Sequence, residues 1–260
     1  MSPQIRSFFL FYLLLFLLSG CKKDDSQDVV TDPTAENKKA LGVSAENLLS
    51  DDIYEALTVE FVYSPSSKPT DESINAFRNF LNARLNKSGG IFFVETEIAS
   101  QPGAPFTLDE IKNFEEEFRT QYTSGNDIAV CIFFSNGSSS NDTQTSVTLG
   151  TAYRNTSIVV YENTLKNVTN SDPLVLPVLE QTVMQHEFGH ILGLVNIQND
   201  DIHNNHEDPN ASKHCIVEDC LMYFEASDFL VNDITRFLGR GSVPQLDPLC
   251  IEDLQAKGGK

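Results

Sequence analysis

The sequence predicts an α+β fold, a mixed twisted β-sheet packed against helices, with one long helix that carries the chemistry. Three observations predict it. Strand and helix periodicities interleave through the first half of the chain. Ile128–Phe134 is a near-continuous apolar run, as a central strand buried on both faces shows. Residues 186–198 place the pattern H-E-x-x-H on a helix that stops near a glycine.

The first twenty residues stand apart from this fold. Arg6 gives a short basic start, and Phe8 to Leu18 are all apolar, too short a run to span a bilayer as a mature helix. The run has the length of a signal-peptide core, so residues 1–20 are expected to be removed on export. Leu18-Ser19-Gly20-Cys21 resembles the lipobox of bacterial lipoproteins, which implies cleavage before Cys21 and acylation of that cysteine. Lys22-Lys23-Asp24-Asp25 resembles the tether of outer-membrane lipoproteins, facing the periplasm or the surface. Residues 21–48 are polar and predict a flexible tether, with the folded domain at 49–260. Cleavage removes only Arg6 from 18 Lys and Arg and none of the 37 Asp and Glu, so the net charge moves from −19 to about −20. Such a charge excludes a nucleic-acid partner and a polybasic membrane contact. Lipid alone is left to hold the protein to a membrane.

Ala56–Tyr63 alternates apolar and polar residues and predicts the first strand. Asp71–Asn86 has Ile74, Phe77, Phe80, Leu81 and Leu85 at helical spacing, with Asp71 as N-cap. Ile91–Ile98 predicts a second strand. Thr107–Tyr122 predicts a second helix, opened by the capping box Thr107-x-x-Glu110. Val147–Tyr153 and Ser157–Tyr161 predict two more strands around Arg154-Asn155-Thr156. Val147–Tyr153 is the candidate edge to which an extended substrate adds. The long helix starts at Pro177, a residue suited to the first helical position. Met184, Phe188, Ile191 and Val195 are expected to face the sheet, and His186, Glu187, His190 and Gly193 the opposite side. Residues 196–213 are polar and irregular, and their acidic residues Asp200, Asp201, Glu207 and Asp208 read as a solvated loop rather than a calcium site. Ser227–Leu238 and Asp247–Gln255 predict the last two helices.

Residues four apart on a helix share a face, so His186 and His190 can aim two imidazoles at one metal ion. Glu187 lies beside them, placed to take a proton from a metal-bound water. A catalytic zinc takes a third protein ligand. All five histidines lie between residues 186 and 214, so His203, His206 and His214 are left as candidates for it.

H-E-x-x-H-x-x-G followed by a methionine resembles the metzincin metallopeptidases, whose third ligand usually comes three residues after the glycine. Here that position is Asn196. The segment His214-Cys215-Ile216-Val217-Glu218-Asp219-Cys220-Leu221-Met222 is similar to the archaemetzincin pattern of His, Cys, four residues, Cys, one residue and Met. Residues 196–213 then read as an insertion, and Leu149–Tyr153 with Ile158–Tyr161 looks like the strand pair before the active helix. The span from about 50 to 260 resembles a group of bacterial lipoprotein metalloproteases. The resemblance implies a metzincin-like fold with a long active-site helix, a turn at Gly193, a Met-turn at Met222 and C-terminal helices. It implies a zinc metalloendopeptidase with one catalytic Zn2+ on His186, His190 and His214, His206 being the alternative third ligand, and with Glu187 as general base. The substrate would be a protein or peptide and the enzyme a monomer. The alternative is a non-catalytic zinc-binding surface lipoprotein, an adhesin or scaffold. A gluzincin arrangement, with Glu225 as third ligand, would leave Gly193 and Met222 without a role. Archaemetzincins hold a second zinc on four cysteines ending in C-x-x-C. This chain lacks that pair, so the expectation is a Cys215–Cys220 disulfide, with Cys131 a buried thiol or the partner of Cys250.

Overall fold

The computed structural model describes residues 32–223, 228–230 and 241–260. Strand β1 (Ala56–Tyr63) lies over the residues its alternation predicts, and its two faces enter two different cores. Leu57, Val59, Phe61 and Tyr63 join one apolar cluster and Val62 joins the other. Strand β3 (Asp127–Phe134) divides in the same way, with Ile128, Val130, Ile132 and Phe134 on one side and Cys131 and Phe133 on the other. This double burial is why its sequence reads as an unbroken apolar run.

Helix α2 (Asp71–Arg84) follows β1, and β2 (Gly90–Glu97) returns parallel beside it. Thr70, not Asp71, is the N-cap, its hydroxyl accepting from Ser73 N–H. Helix α3 (Leu108–Phe118) has the expected capping box between Thr107 and Glu110 but ends at Phe118, short of Tyr122. The expected strand at Val147–Tyr153 is two pieces, β4 (Ser146–Thr148) and β5 (Gly150–Arg154), separated at buried Leu149. β6 (Ser157–Val160) closes the five-stranded sheet, whose order is β2-β1-β3-β6-β5. Every neighbour pair is parallel except β5 with β6, so β5 is an antiparallel edge. The mixed sheet is therefore mostly parallel.

Helix α1 (Ala45–Leu49) and the residues before it correct the expected tether. Asp32–Lys260 forms one compact unit. Asn37 is buried, and its side chain donates to Ala129 O (2.8 Å) and accepts from Thr123 N–H (2.8 Å). Residues 32–48 are thus part of the domain. Their polarity misled the reading because hydrogen bonds, not apolar contacts, seat much of this segment.

After α4 (Glu162–Val168), helix α5 (Leu176–Ile191) carries the H-E-x-x-H residues. It differs from the expected two-sided helix. Its histidine face is buried along with its core face, because later segments cover it. Phe188 meets Phe77 of α2 edge-on, with ring centroids 5.4 Å apart. Beyond α5 come a small hairpin, β7 (Glu207–Asp208) with β8 (Ala211–Cys215), then β9 (Asp228–Leu230), and finally α6 (Pro248–Ala256). β9 pairs antiparallel with β4, where the sequence predicts the start of a helix. The rest of that expected helix, and Glu225, lie outside the described residues. No described helix is long and apolar enough to cross a membrane.

The front half of α5 is held by a carboxylate pair. Glu180 accepts from Thr70 N–H (3.0 Å) and Thr70 and Ser73 hydroxyls (both 2.5 Å). Glu162 beside it is fully buried, with Lys166 Nζ 3.2 Å from Oε1. Burial, and then the charge of Glu180, pushes the Glu162 pKa well up. An acid whose pKa is raised by folding contributes its stability below its ordinary range and loses it as pH rises through the raised value. Glu162→Gln is therefore expected to raise the unfolding free energy read from urea melts by on the order of 1 kcal/mol at alkaline pH and to change it little at mildly acidic pH. An alkaline value equal to wild type would contradict this.

Candidate metal centre

The turn after α5 gives the site its shape. Gly193 takes φ 73°, a conformation that a side chain disfavours, and Val195 and Asn196 continue in the same left-handed region. Lys257 from the end of α6 donates to Gly193 O (2.9 Å), which caps the end of the helix. Asp201 and Asp200 pair with the same ammonium, the latter at 3.0 Å. Asp201 is thus a buried counter-ion and not a member of a solvated loop. Ala45 of α1 packs behind Gly193. Asn196 occupies the position three after the glycine and contributes to the turn, its N–H donating to Asp201 (2.7 Å).

The chain then delivers His214 from β8 against the helix. The ligand nitrogens of His186, His190 and His214 lie within 4.8 Å of one another. His190 Nε2 and His186 Nε2 are 3.1 Å apart. Backbone carbonyls set the ring faces. His186 Nδ1–H donates to Leu221 O (2.7 Å) and His214 Nδ1–H to Ser212 O (3.0 Å). Each carbonyl can only accept, so each Nε2 is left with a lone pair turned toward the others. Burial, and then the charge of His214, lowers the His186 pKa to about 3. Burial, then His186 and His214, takes His190 well below its ordinary value. His190 Nδ1 makes no hydrogen bond among the described residues, so its Nε2 can either donate to His186 Nε2 or, as a lone pair, share a metal ion with it. Three neutral imidazoles around one point fit a divalent zinc.

Sequence reasoning missed how Glu187 is held. Its Oε2 accepts from Ala152 N–H of the edge strand (2.8 Å). Gly150 makes that approach possible, since a Cβ there would lie 2.8 Å from Glu187 Cγ. Gly150, Thr151, Ala152, Glu187, His190 and His214 line one open cleft. A glycine opening a strand was the only signal in the sequence for this contact.

Met222 packs fully buried beneath the helix at Gly189, where a Cβ would stand 2.3 Å from its sulfur. The methionine thus meets the helix between the positions of His186 and His190. Gly189→Ala is expected to destabilise the protein by about 1–3 kcal/mol through overpacking and to lower its melting temperature. A melting curve matching wild type would show that Met222 yields without loss.

The other two histidines do not join this cluster. His203 Nδ1 is 3.0 Å from Asp253 and buried His206 Nε2 is 3.2 Å from it. His206 is therefore not placed as the third ligand of the His186–His190 pair. The expected Cys215–Cys220 disulfide is also corrected, for Cys131, Cys215, Cys220 and Cys250 are all free thiols. Cys215 is held otherwise, its Sγ donating to Asp247 (2.8 Å), while Cys220 Sγ lies 3.7 Å from Cys250 Sγ. Cys131 belongs to the core on the opposite face of the sheet, away from Cys250.

No protein-family model and no curated protein matches the chain. Among solved structures, an archaemetzincin from Methanopyrus kandleri superposes with a TM-score of 0.50 at 15% identity, covering 78% of this chain and 96% of that one. The fold is shared with that archaemetzincin. A zinc-dependent peptidase from Methanocorpusculum labreanum aligns with a TM-score of 0.42 at 14% identity, over 75% of this chain and 99% of that one.

Proposed function

We propose that the chain is a zinc-dependent metalloendopeptidase. The observation that carries this reading is the convergence of His186, His190 and His214 beside a carboxylate, Glu187, that the edge strand holds in an open cleft. The three histidines would hold the catalytic zinc, with Leu221 O and Ser212 O orienting two of the rings. Zinc bound there supplies a Lewis acid and lowers the pKa of a bound water toward neutrality.

The chain's own groups supply the rest. Glu187 takes the proton of the attacking water at a carboxylate oxygen and passes it to the departing amine nitrogen. Ala152 N–H fixes one of its oxygens and so limits its rotation. Among the described residues β5 is the antiparallel edge of the sheet along the cleft, where an extended peptide can add as a further strand. Side chains of that peptide would then alternate toward and away from the cleft.

An adhesin or scaffold would need the histidines for metal but not Glu187 against Ala152. In the peptidase reading, anchoring follows from acylation at Cys21, and any spacer is confined to residues 22–31. The domain would face the periplasm or the surface from the outer membrane and act as a monomer. We also read a second, structural ion into the cluster of Cys215, Cys220 and Cys250, in the place of the second zinc that the archaemetzincin resemblance implies. The geometry that fits it replaces the expected disulfide.

Glu187→Gln is expected to retain zinc and to lower kcat for a quenched peptide by about 10²–10⁴-fold. Unchanged turnover would remove Glu187 from the reaction, and turnover insensitive to chelator would remove the metal.

A further inference from the structure

The second cluster contains more candidate ligands than one zinc can use. His206, Cys215, Asp247 and Cys250 each offer an atom within 4.8 Å of the others, and Cys220 Sγ adds a fifth group 3.7 Å from Cys250 Sγ. That sulfur–sulfur separation suits two thiolates on one tetrahedral zinc, for which Zn–S bonds of about 2.3 Å give about 3.8 Å. Resting on the structural ion read above, we propose that its four ligands are Cys215, Cys220, Cys250 and His206, with Asp253 orienting the imidazole and Asp247 outside the ligand set.

Hydrogen-bond accounting separates His206 from Asp247. Asp247 Oδ1 accepts from Leu249 N–H (2.7 Å) and Cys250 N–H (3.1 Å) as the N-cap of α6, and Oδ2 accepts from Cys215 (2.8 Å). Oδ1 is thus committed to the helix end, while the Oδ2 contact lasts only as long as Cys215 keeps its proton. His206 is 2% exposed, yet neither ring nitrogen makes a hydrogen bond among the described residues. The Asp253 Oδ2 facing it is equally without one. A buried polar ring with no hydrogen bond is unfavourable unless something else engages it. A metal on one nitrogen, with Asp253 receiving the N–H of the other, would satisfy both groups, in the carboxylate–histidine–metal arrangement common to zinc sites.

Charge leads to the same choice. Three thiolates and an imidazole around zinc carry one negative charge fewer than three thiolates and a carboxylate, and the cluster is buried. An alternative cation site formed by Asp201, His206 and Asp253 is disfavoured, because Asp201 already faces the Lys257 ammonium and Asn196 N–H. The insertion at 196–213 thereby gains a purpose. It carries His206 to the thiols and ties the loop to α6. It also fixes Cys215, the immediate neighbour of the catalytic-site ligand His214.

The full chain, stripped of metal and titrated with cobalt(II), tests this without reading activity. Thiolate-to-cobalt charge-transfer absorption reports only the cysteine site, since the three-histidine site has no sulfur. His186→Ala should leave that band intact while losing the other ion, so failure of the catalytic reading and of this one are distinguishable. Asp253→Asn should weaken cobalt at the cysteine site by about 10–100-fold, and His206→Ala by at least as much. His206→Cys should retain the band, which separates a lost ligand from a lost fold. Asp247→Asn should leave the cobalt affinity close to wild type. Absence of the band in wild type, an unchanged cobalt affinity in His206→Ala, loss of the band in His206→Cys, or its loss in Asp247→Asn would each overturn the assignment.

Discussion

Two ring nitrogens of one helix, those of His186 and His190, face each other across 3.1 Å in a buried place. Both rings are neutral at neutral pH, since burial holds His186 near a pKa of about 3 and His190 well below its ordinary value. Neutral nitrogens this close are spaced as neighbouring ligands of one metal ion are, and the surrounding structure keeps the rings from turning away. Carbonyls of Leu221 and Ser212 hold two of them by their outer nitrogens. Rings that stay in place without metal have less ordering left to lose when metal binds.

Holding that geometry requires a helix that is covered on every side. The sheet and α2 bury one face of α5 through Phe188 and Phe77. The edge strand comes close enough at Gly150 to grip Glu187, and Met222 fits where Gly189 leaves room. The helix end is secured by groups from both ends of the domain, Ala45 from before the first strand and Lys257 from the last helix. Placement of His214 depends on the segment just after it, where the Cys215, Cys220 and Cys250 thiols gather near Asp247.

Much of this was legible in the sequence, for reasons that differ by element. β1 and β3 could be read because burial on one or both faces writes an apolar pattern into consecutive residues. The long helix could be read from Pro177 and Gly193, and α3 from the Thr107–Glu110 box. Residues 32–48 could not, because Asn37 and Ser44 are buried through hydrogen bonds and look like linker residues. Ala152 could not be found either. It acts through its backbone N–H, which every residue but proline possesses. The gathering of Asp247 and Cys250 with Cys215 depends on tertiary contact between α6 and the end of β8, which spacing along the chain does not record. The fate of His206 depended on tertiary contact with Asp253, and spacing along the chain carries no trace of it.

The account rests on a single dication held by three imidazoles from α5 and β8. Anomalous diffraction at the zinc edge, from crystals of the full chain grown with zinc, tests it most directly. The account predicts an anomalous peak bonded to His186 Nε2, His190 Nε2 and His214. A map with no peak among those rings, or with His214 turned away and the zinc bound only by the helix pair, would contradict it.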